Sequence, residues 1–297
     1  MSSTPTAPVA ANYREALMLG AVAYDPKVVA IWTGFRDWFV DQGFPFDYVL
    51  YSHYERQVDD LIAGRIHVAW NSPLAWVRAR RLAEAGGHEV TALAMRDTDR
   101  DLTSVIVVRA DSPMRSLADV RGKTVAVGAV DSPQATLLPL DHLRAAGLQP
   151  GRDFQVRRFD LGVGLHGDHV GGEREAARAL IAGEVDAACM IDGNHLRFAQ
   201  EGTLPGGSTR VLSQTVAFDH CNMTVGPAAS GELVDRFRQL LLGMSYADPV
   251  LRPLLDLEGL KSWCAGRTSG YAPLESAVDA LGFYDGVGSV TARDYRP

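Results

Sequence analysis

Apolar and polar positions alternate in blocks along this chain, short apolar runs being followed by longer stretches that are apolar on one face only. Residues 17–22 (LMLGAV) are a nearly continuous apolar run, which predicts a strand covered on both faces. Over 27–40 the period changes to that of a helix: Val28, Ile31, Trp32 and Phe35 fall on one side. The alternation then repeats, with strands predicted over 48–51, 66–70, 90–94 and 104–108 and helices over 56–62 and 73–83. A second series begins with a short helix over 116–120. It continues as a strand over 124–127, a helix over 133–146 closed by Gly147, a strand over 154–159, a helix over 173–181 and a strand over 185–190. A strand over 221–225 precedes helices over 232–244, 250–255 and near 274–281. Strands regularly separated by helices predict an α/β fold with a mainly parallel sheet.

The two series share a motif. Residues 61–69 (LIAGRIHVA) recur as residues 180–188 (LIAGEVDAA), each a helix end, a glycine and a buried strand. A glycine there can end the helix in the left-handed conformation. Each strand then meets a polar turn that opens a helix, Asn71-Ser72-Pro73 in the first copy and Asp192-Gly193-Asn194 in the second. Two copies predict two similar lobes.

Composition narrows the class. The chain has 297 residues, enough for two lobes with their own cores, and is 46% hydrophobic and 22% charged, as globular proteins are. Its net charge of -7 argues against nucleic acid as a partner. No apolar run approaches the roughly 18 residues that would span a bilayer. The first residues lack a basic region followed by an apolar one, so residues 1–13 read as a disordered lead and the protein as cytoplasmic, or as periplasmic or extracellular where a leader has been removed. Cys189, Cys221 and Cys264 form no CxxC pair and read as reduced thiols.

Four stretches carry a resemblance to a known family: residues 61–75, residues 108–126 with their DSP and SLADVRGK runs, residues 182–188, and Gly270-Tyr271-Ala272-Pro273-Leu274. In these the chain resembles the type-II periplasmic binding proteins, above all the phosphate-, phosphite- and phosphonate-binding branch. The resemblance implies a two-lobed α/β fold with a ligand cleft between the lobes. Lobe one would comprise 14–106 with 216–297 and lobe two 107–215, closing on a ligand by a hinge motion.

The candidate site residues follow from strand ends and helix starts, where unpaired N–H groups attract anions. Asn71 ends one strand, and Ser72 is placed either to cap the next helix or to touch a ligand. The turn 131–136 opens the second lobe's long helix with Ser132 and Thr136. Relatives place a Ser-Thr-Ser run there, whereas Pro133 removes an N–H donor here and Gln134 and Ala135 supply no hydroxyl. Tyr24 and Tyr51 match an aromatic wall seen in relatives. Asp192 is the acidic candidate in the second lobe, with capping as its rival role. The glycine-rich loop 162–173 is longer than in relatives and carries His166, Asp168, His169 and Glu173. Relatives have one histidine near this point, just before the helix; His169 is the candidate ligand contact here, and His166, His169 and Glu173 are an alternative metal set without zinc-motif spacing. His220 and Cys221, neighbours on an expected strand, would point to opposite faces and are read as structural.

Two functions remain open at this point. One is a solute-binding protein of the ABC-transporter type, holding a small polar or anionic ligand, without a cofactor, and working with an ABC permease if exported. The other is a cytoplasmic enzyme on the same fold, a decarboxylase, a lyase or a biosynthetic enzyme with a divalent metal, using the loop of His166 and His169. Fold alone does not choose between them.

Overall fold

The computed structural model describes residues 16–297, so the predicted lead over 1–13 lies outside the described residues. The strands are β1 (Leu17–Val22), β2 (Phe46–Tyr51), β3 (Val68–Asn71), β4 (Thr91–Arg96), β5 (Ser104–Arg109), β6 (Thr124–Val127), β7 (Gln155–Arg158), β8 (Ala187–Ile191), β9 (Thr209–Gln214), β10 (Asn222–Val225) and β11 (Trp263–Ala265). The helices are α1 (Lys27–Asp41), α2 (Tyr54–Ile62), α3 (Pro73–Ala85), α4 (Leu138–Ala145), α5 (Gly171–Ile181), α6 (Asp192–Gln200), α7 (Gly231–Leu242), α8 (Arg252–Glu258) and α9 (Ala272–Leu281).

These strands build two sheets of matching order. The first runs β11-β4-β10-β3-β1-β2 and the second β7-β6-β8-β5-β9. The sequence echo is explained by that order. β3 and β8 each lie between their lobe's first strand (β1 or β6) and a strand arriving from the other lobe (β10 or β5). Gly64 and Gly183, one residue beyond the caps of α2 and α5, have φ of 70° and 74°, which a residue with a Cβ adopts only under strain.

Neither sheet is mainly parallel as expected. β1 pairs in parallel with β2 and β3, and β6 with β7 and β8. β10 and β5, which enter from the opposite lobe, run antiparallel to their neighbours. β5 belongs to the second sheet from Ser104 onward, so the chain changes sheets between Arg96 and Ser104, ahead of the boundary expected at 106/107. The other change falls between Gln214 and Asn222. The helix expected over 133–146 begins as a wide π turn over Pro133–Leu137, because Pro133 has no N–H and Thr136 Oγ1 donates back to Ala129 O at 2.7 Å. β9 and β11, unpredicted, are edge strands, one half-exposed throughout and the other three residues long.

Burial follows the periodicity. Val28, Ile31, Trp32, Phe35 and Phe39 of α1 are all buried, in a core shared with α7 and β1. Phe39 alone packs against Phe44, Phe46 and Phe237 with ring centroids 4.8–5.7 Å apart. One cluster joins the lobes. Leu74, Trp76 and Val77 of α3 meet Val130, Leu137 and Leu138 of the second lobe, with Tyr271, Leu274, Phe283 and Tyr295 filling between. No helix is long and apolar enough to cross a membrane among the described residues.

Candidate functional site

Two stretches of the interlobe boundary carry polar groups from both sides. The first is an open cleft of about 630 Å³ lined by Tyr24, Asp25, Lys27, Arg96, Asp168, His169, Val170, Gly171, Arg174 and Arg197. Lys27 begins α1 and Gly171 begins α5, so the positive ends of two helices, one per lobe, open on the same space. Lobe one adds the cations of Lys27 and Arg96 and lobe two those of Arg174 and Arg197, against the carboxylates of Asp25 and Asp168.

Several of these cations are already oriented. Arg96 forks onto Asp99 with Nε and Nη2 at 2.6 and 2.8 Å from its two oxygens, reaches Glu258 O at 2.8 Å and lies over the Trp70 ring. Burial raises the Asp99 carboxyl, but the guanidinium beside it dominates and leaves it at about 2. Glu258, more weakly compensated by Arg96, is pushed by burial up to about 7. Arg174 is held by Glu201 at 2.9 and 3.2 Å and lies over Phe198. Lys27 is exposed, its ammonium 3.4 Å from Leu257 O, and Arg197 is exposed with Glu201 at 3.7 Å. Burial also raises Asp168, which accepts the Tyr54 hydroxyl.

The second stretch is closed. There the loop between β7 and α5 enters the boundary and places His166, fully buried, between Ser72 of one lobe and Asp131 of the other. Ser72, His166 and Glu55 are linked in series, which in composition resembles a nucleophile relay. Ser72 is fully buried, however, and its hydroxyl also caps α3 by accepting from Ala75 N at 3.1 Å. An attacking hydroxyl needs a substrate beside it, and this one is enclosed.

The residues singled out from sequence part company here. Tyr24 and His169 line the open cleft. Ser72 and Ser132 lie at the closed stretch, and Ser132 caps the π turn by accepting from Ala135 N at 3.2 Å. Tyr51 is a correction: it is buried and its hydroxyl donates to Asp60 at 2.9 Å, away from the cleft. Asn71, fully buried, donates to Thr224 Oγ1 at 2.9 Å and accepts from Gln57 Nε2 at 2.8 Å, so its amide is consumed within the first lobe. Thr136 spends its hydroxyl on its own turn. Asp192 accepts from Thr103 Oγ1 at 2.9 Å and from Gly193 N at 2.7 Å, pinning the start of α6 beside the crossing segment.

The alternative metal set is not assembled. His166 is buried on Glu55, His169 is exposed, and Glu173 accepts from Asn194 Nδ2 at 2.8 Å and Ile191 N at 3.1 Å. The trio that does converge among the described residues is Asp99, His220 and Cys221, with ligand atoms within 4.8 Å of one another. Both Asp99 oxygens are held by Arg96. His220 Nδ1 lies 3.1 Å from Cys221 Sγ, contrary to the opposite-face expectation, because both residues precede β10 and the alternation of a strand does not apply to them. Sequence reasoning missed Lys27, Arg96, Arg174 and Arg197; a cation in the first turn of α1 and of α5 was the signal available for Lys27 and Arg174.

Comparison with known proteins agrees with this architecture. The structure of PhnD1 from Prochlorococcus marinus in complex with methylphosphonate aligns over 90% of this chain and 98% of its own, with a TM-score of 0.66 at 16% identity. A Xanthomonas citri protein solved with chloride ion gives 0.69 at 19% identity over the same shares. The Escherichia coli aliphatic sulphonate binding protein SsuA gives 0.58 at 19% identity, covering 90% of this chain and 91% of that one. The family described as the phosphonate, periplasmic substrate-binding protein of ABC transporters matches residues 21–271. Its description stands against the cytoplasmic location expected from the first residues. The fold, the matched length and the interlobe cleft have one reading: this chain belongs to the family of periplasmic phosphonate substrate-binding proteins of ABC transporters.

Proposed function

We propose that this protein captures a small organic anion of the phosphonate or sulfonate class in the open interlobe cleft and presents it, in the periplasm, to an ABC permease. The observation that carries this reading is the convergence of the α1 and α5 N-termini with Lys27 and Arg96 from one lobe and Arg174 and Arg197 from the other. A ligand bridging them touches both lobes at once, so its charge is met from two sides. Recognition there needs charge and directed hydrogen bonds only, and no cofactor. Lys27 and Arg197 supply attraction from exposed positions, while Arg96 and Arg174 are held in place by Asp99, Glu258 and Glu201 and supply direction.

Calorimetric titration with methylphosphonate, an alkanesulfonate, phosphate, sulfate and an uncharged analogue tests the reading. At least one organic anion is expected to bind, and the uncharged analogue is not. Lys27→Ala and Arg197→Ala are each expected to weaken binding by about three- to tenfold, less in high salt because both cations are exposed. An anion whose affinity is indifferent to both substitutions would place the site elsewhere.

A further inference from the structure

The boundary between the lobes contains a second, closed site whose occupant is part of the chain. On lobe one, α3 begins at Ser72; on lobe two, the π turn begins at Ser132. Residues 164–167 fill the space between them. The His166 ring lies with Nδ1 2.7 Å from Ser72 Oγ and Nε2 3.0 Å from Glu55 Oε1, and it stacks on Tyr54 with centroids 4.7 Å apart at 18°. Tyr295 OH is 3.4 Å from Nε2. Asp131 Oδ2 accepts from the backbone of Gly164 and His166 at 2.7 and 3.0 Å, and Gln134 Nε2 donates to Gly167 O at 2.8 Å. His166 adopts φ of 49°, unusual for a residue with a side chain, and is held there by contacts to both lobes.

The chemistry of this pocket is that of an acceptor. Glu55 and Asp131 both face the imidazole, and burial is opposed in each by that ring. Glu55 Oε2, Asp131 Oδ1, Gln57 Oε1 and Gln134 Oε1 are buried without a hydrogen-bond partner among the described residues, with His53 Nδ1 3.7 Å from Glu55 Oε2. A tetrahedral oxyanion set on the two serines would meet two carboxylates and these further oxygens. A flat donor such as imidazole meets partners instead.

We propose that residues 164–167 are a built-in occupant of this pocket, that the pocket accepts a nitrogen donor of imidazole type, and that its buried carboxylates, Glu55 and Asp131, bar compact oxyanions from the α3 terminus. The ligand is then confined to the cleft at Lys27 and Arg197, and in this the inference rests on the function proposed above.

The test uses the full chain with His166→Gly, a change that suits the positive φ and leaves an imidazole-sized hole. About 50 mM imidazole is expected to raise the melting temperature of the variant by about 2–5 °C and that of the unsubstituted protein by less than about 1 °C. Methylphosphonate is expected to give no such difference between the two. His166→Asn, which also tolerates the left-handed region, serves if the glycine variant does not fold. Nitrogen-15 spectra of the unsubstituted protein supply an independent measurement: the His166 ring signals stay in place when an anion binds. The proposal fails if imidazole does not discriminate the variants, or if anion binding displaces the His166 signals. Neither result bears on Lys27 and Arg197, whose substitution decides the function proposed above.

Discussion

Glu173 shows how a single carboxyl ties α5 to the start of α6 within the second lobe. Its Oε2 is held by Ile191 N and Asn194 Nδ2, whereas Oε1 has no hydrogen-bond partner, and neither does Gln134 Oε1. Burial pushes the group up to about 7, only partly offset by Asn194, the Ile191 N–H and the Gln134 side chain. Because the folded value is raised above the ordinary 4.5, this group's contribution to stability is complete below about 4.5 and is lost as pH rises through about 7. Glu258 acts in the same direction. Glu55 behaves oppositely: burial raises it, but the His166 ring and the Tyr295 and Tyr284 hydroxyls overcome this and leave it at about 2, so its contribution is lost as pH falls from 4.5 toward 2. Glu173→Gln keeps the two acceptor contacts and removes the buried charge. Thermal melts from pH 5 to 8 are expected to show a smaller decline for the variant, with a gain at pH 8 of up to about 3 kcal/mol. An unchanged slope would mean that Glu173 titrates as it does in water.

At the scale of elements, the loop between β7 and α5 carries the most consequence for the least regular structure. Gly167 packs so closely that an added Cβ would lie 2.6 Å from Gln134 Nε2 and closer still to Ser132 Oγ, at φ of 79°. Gly167→Ala combines a left-handed backbone penalty with a clash against the π turn, so a loss of about 2–4 kcal/mol is expected in chemical denaturation. A loss under about 1 kcal/mol would show that the loop gives way freely. Such an arrangement was hard to see in the sequence, whereas α1 was plain in it, and the reason is the distance over which each is determined. The face of α1 is written in neighbours three and four apart, and the repeat at Gly64 and Gly183 is local as well. Ser72 and His166 are 94 positions apart, and Tyr54 and Asp168 are 114 apart. No local pattern reports such pairs. The polar residues expected at the site, Asn71 and Thr136 among them, were judged by their place at strand ends and turns. Only the fold shows that Thr224, Gln57 and Ala129 O satisfy them first. β9 escaped notice because an edge strand half-open to solvent lacks the apolar run of a central one.

For the molecule as a whole, the question is what the chain itself contributes to holding the two lobes together. A receptor that closes only around its ligand keeps an apolar-poor, wet boundary; here the boundary has its own core, with Leu74, Trp76 and Val77 against Val130, Leu137 and Leu138. Polar ties reinforce it: Tyr54 N to Gly164 O at 3.2 Å, the Tyr54 hydroxyl to Asp168, His166 to Ser72 and Glu55, and Arg158 to Asp294 at 3.3 Å. Tyr295, with 1% of its surface exposed, meets His166 Nε2 through its hydroxyl and Phe283 through its ring. Fully burying one such aromatic contributes about 3 kcal/mol, and displacing the His166 loop forfeits the stacked ring together with its hydrogen bonds. An anion held at 1 mM would return about 4 kcal/mol, no more than the ring burial and the loop's hydrogen bonds together supply without it. The lobes are therefore expected to be closed before the ligand arrives, with entry through the open cleft at Lys27 and Arg197. Small-angle scattering of the ligand-free protein should give a radius of gyration near that of a compact chain of this length, about 19 Å, changing by less than about 0.5 Å when a binding anion is added. The double variant His166→Gly, Tyr295→Ala should scatter as an open form, larger by on the order of 1 Å. A ligand-free protein that contracts by that amount on binding would show that the hinge, not the loop, governs closure.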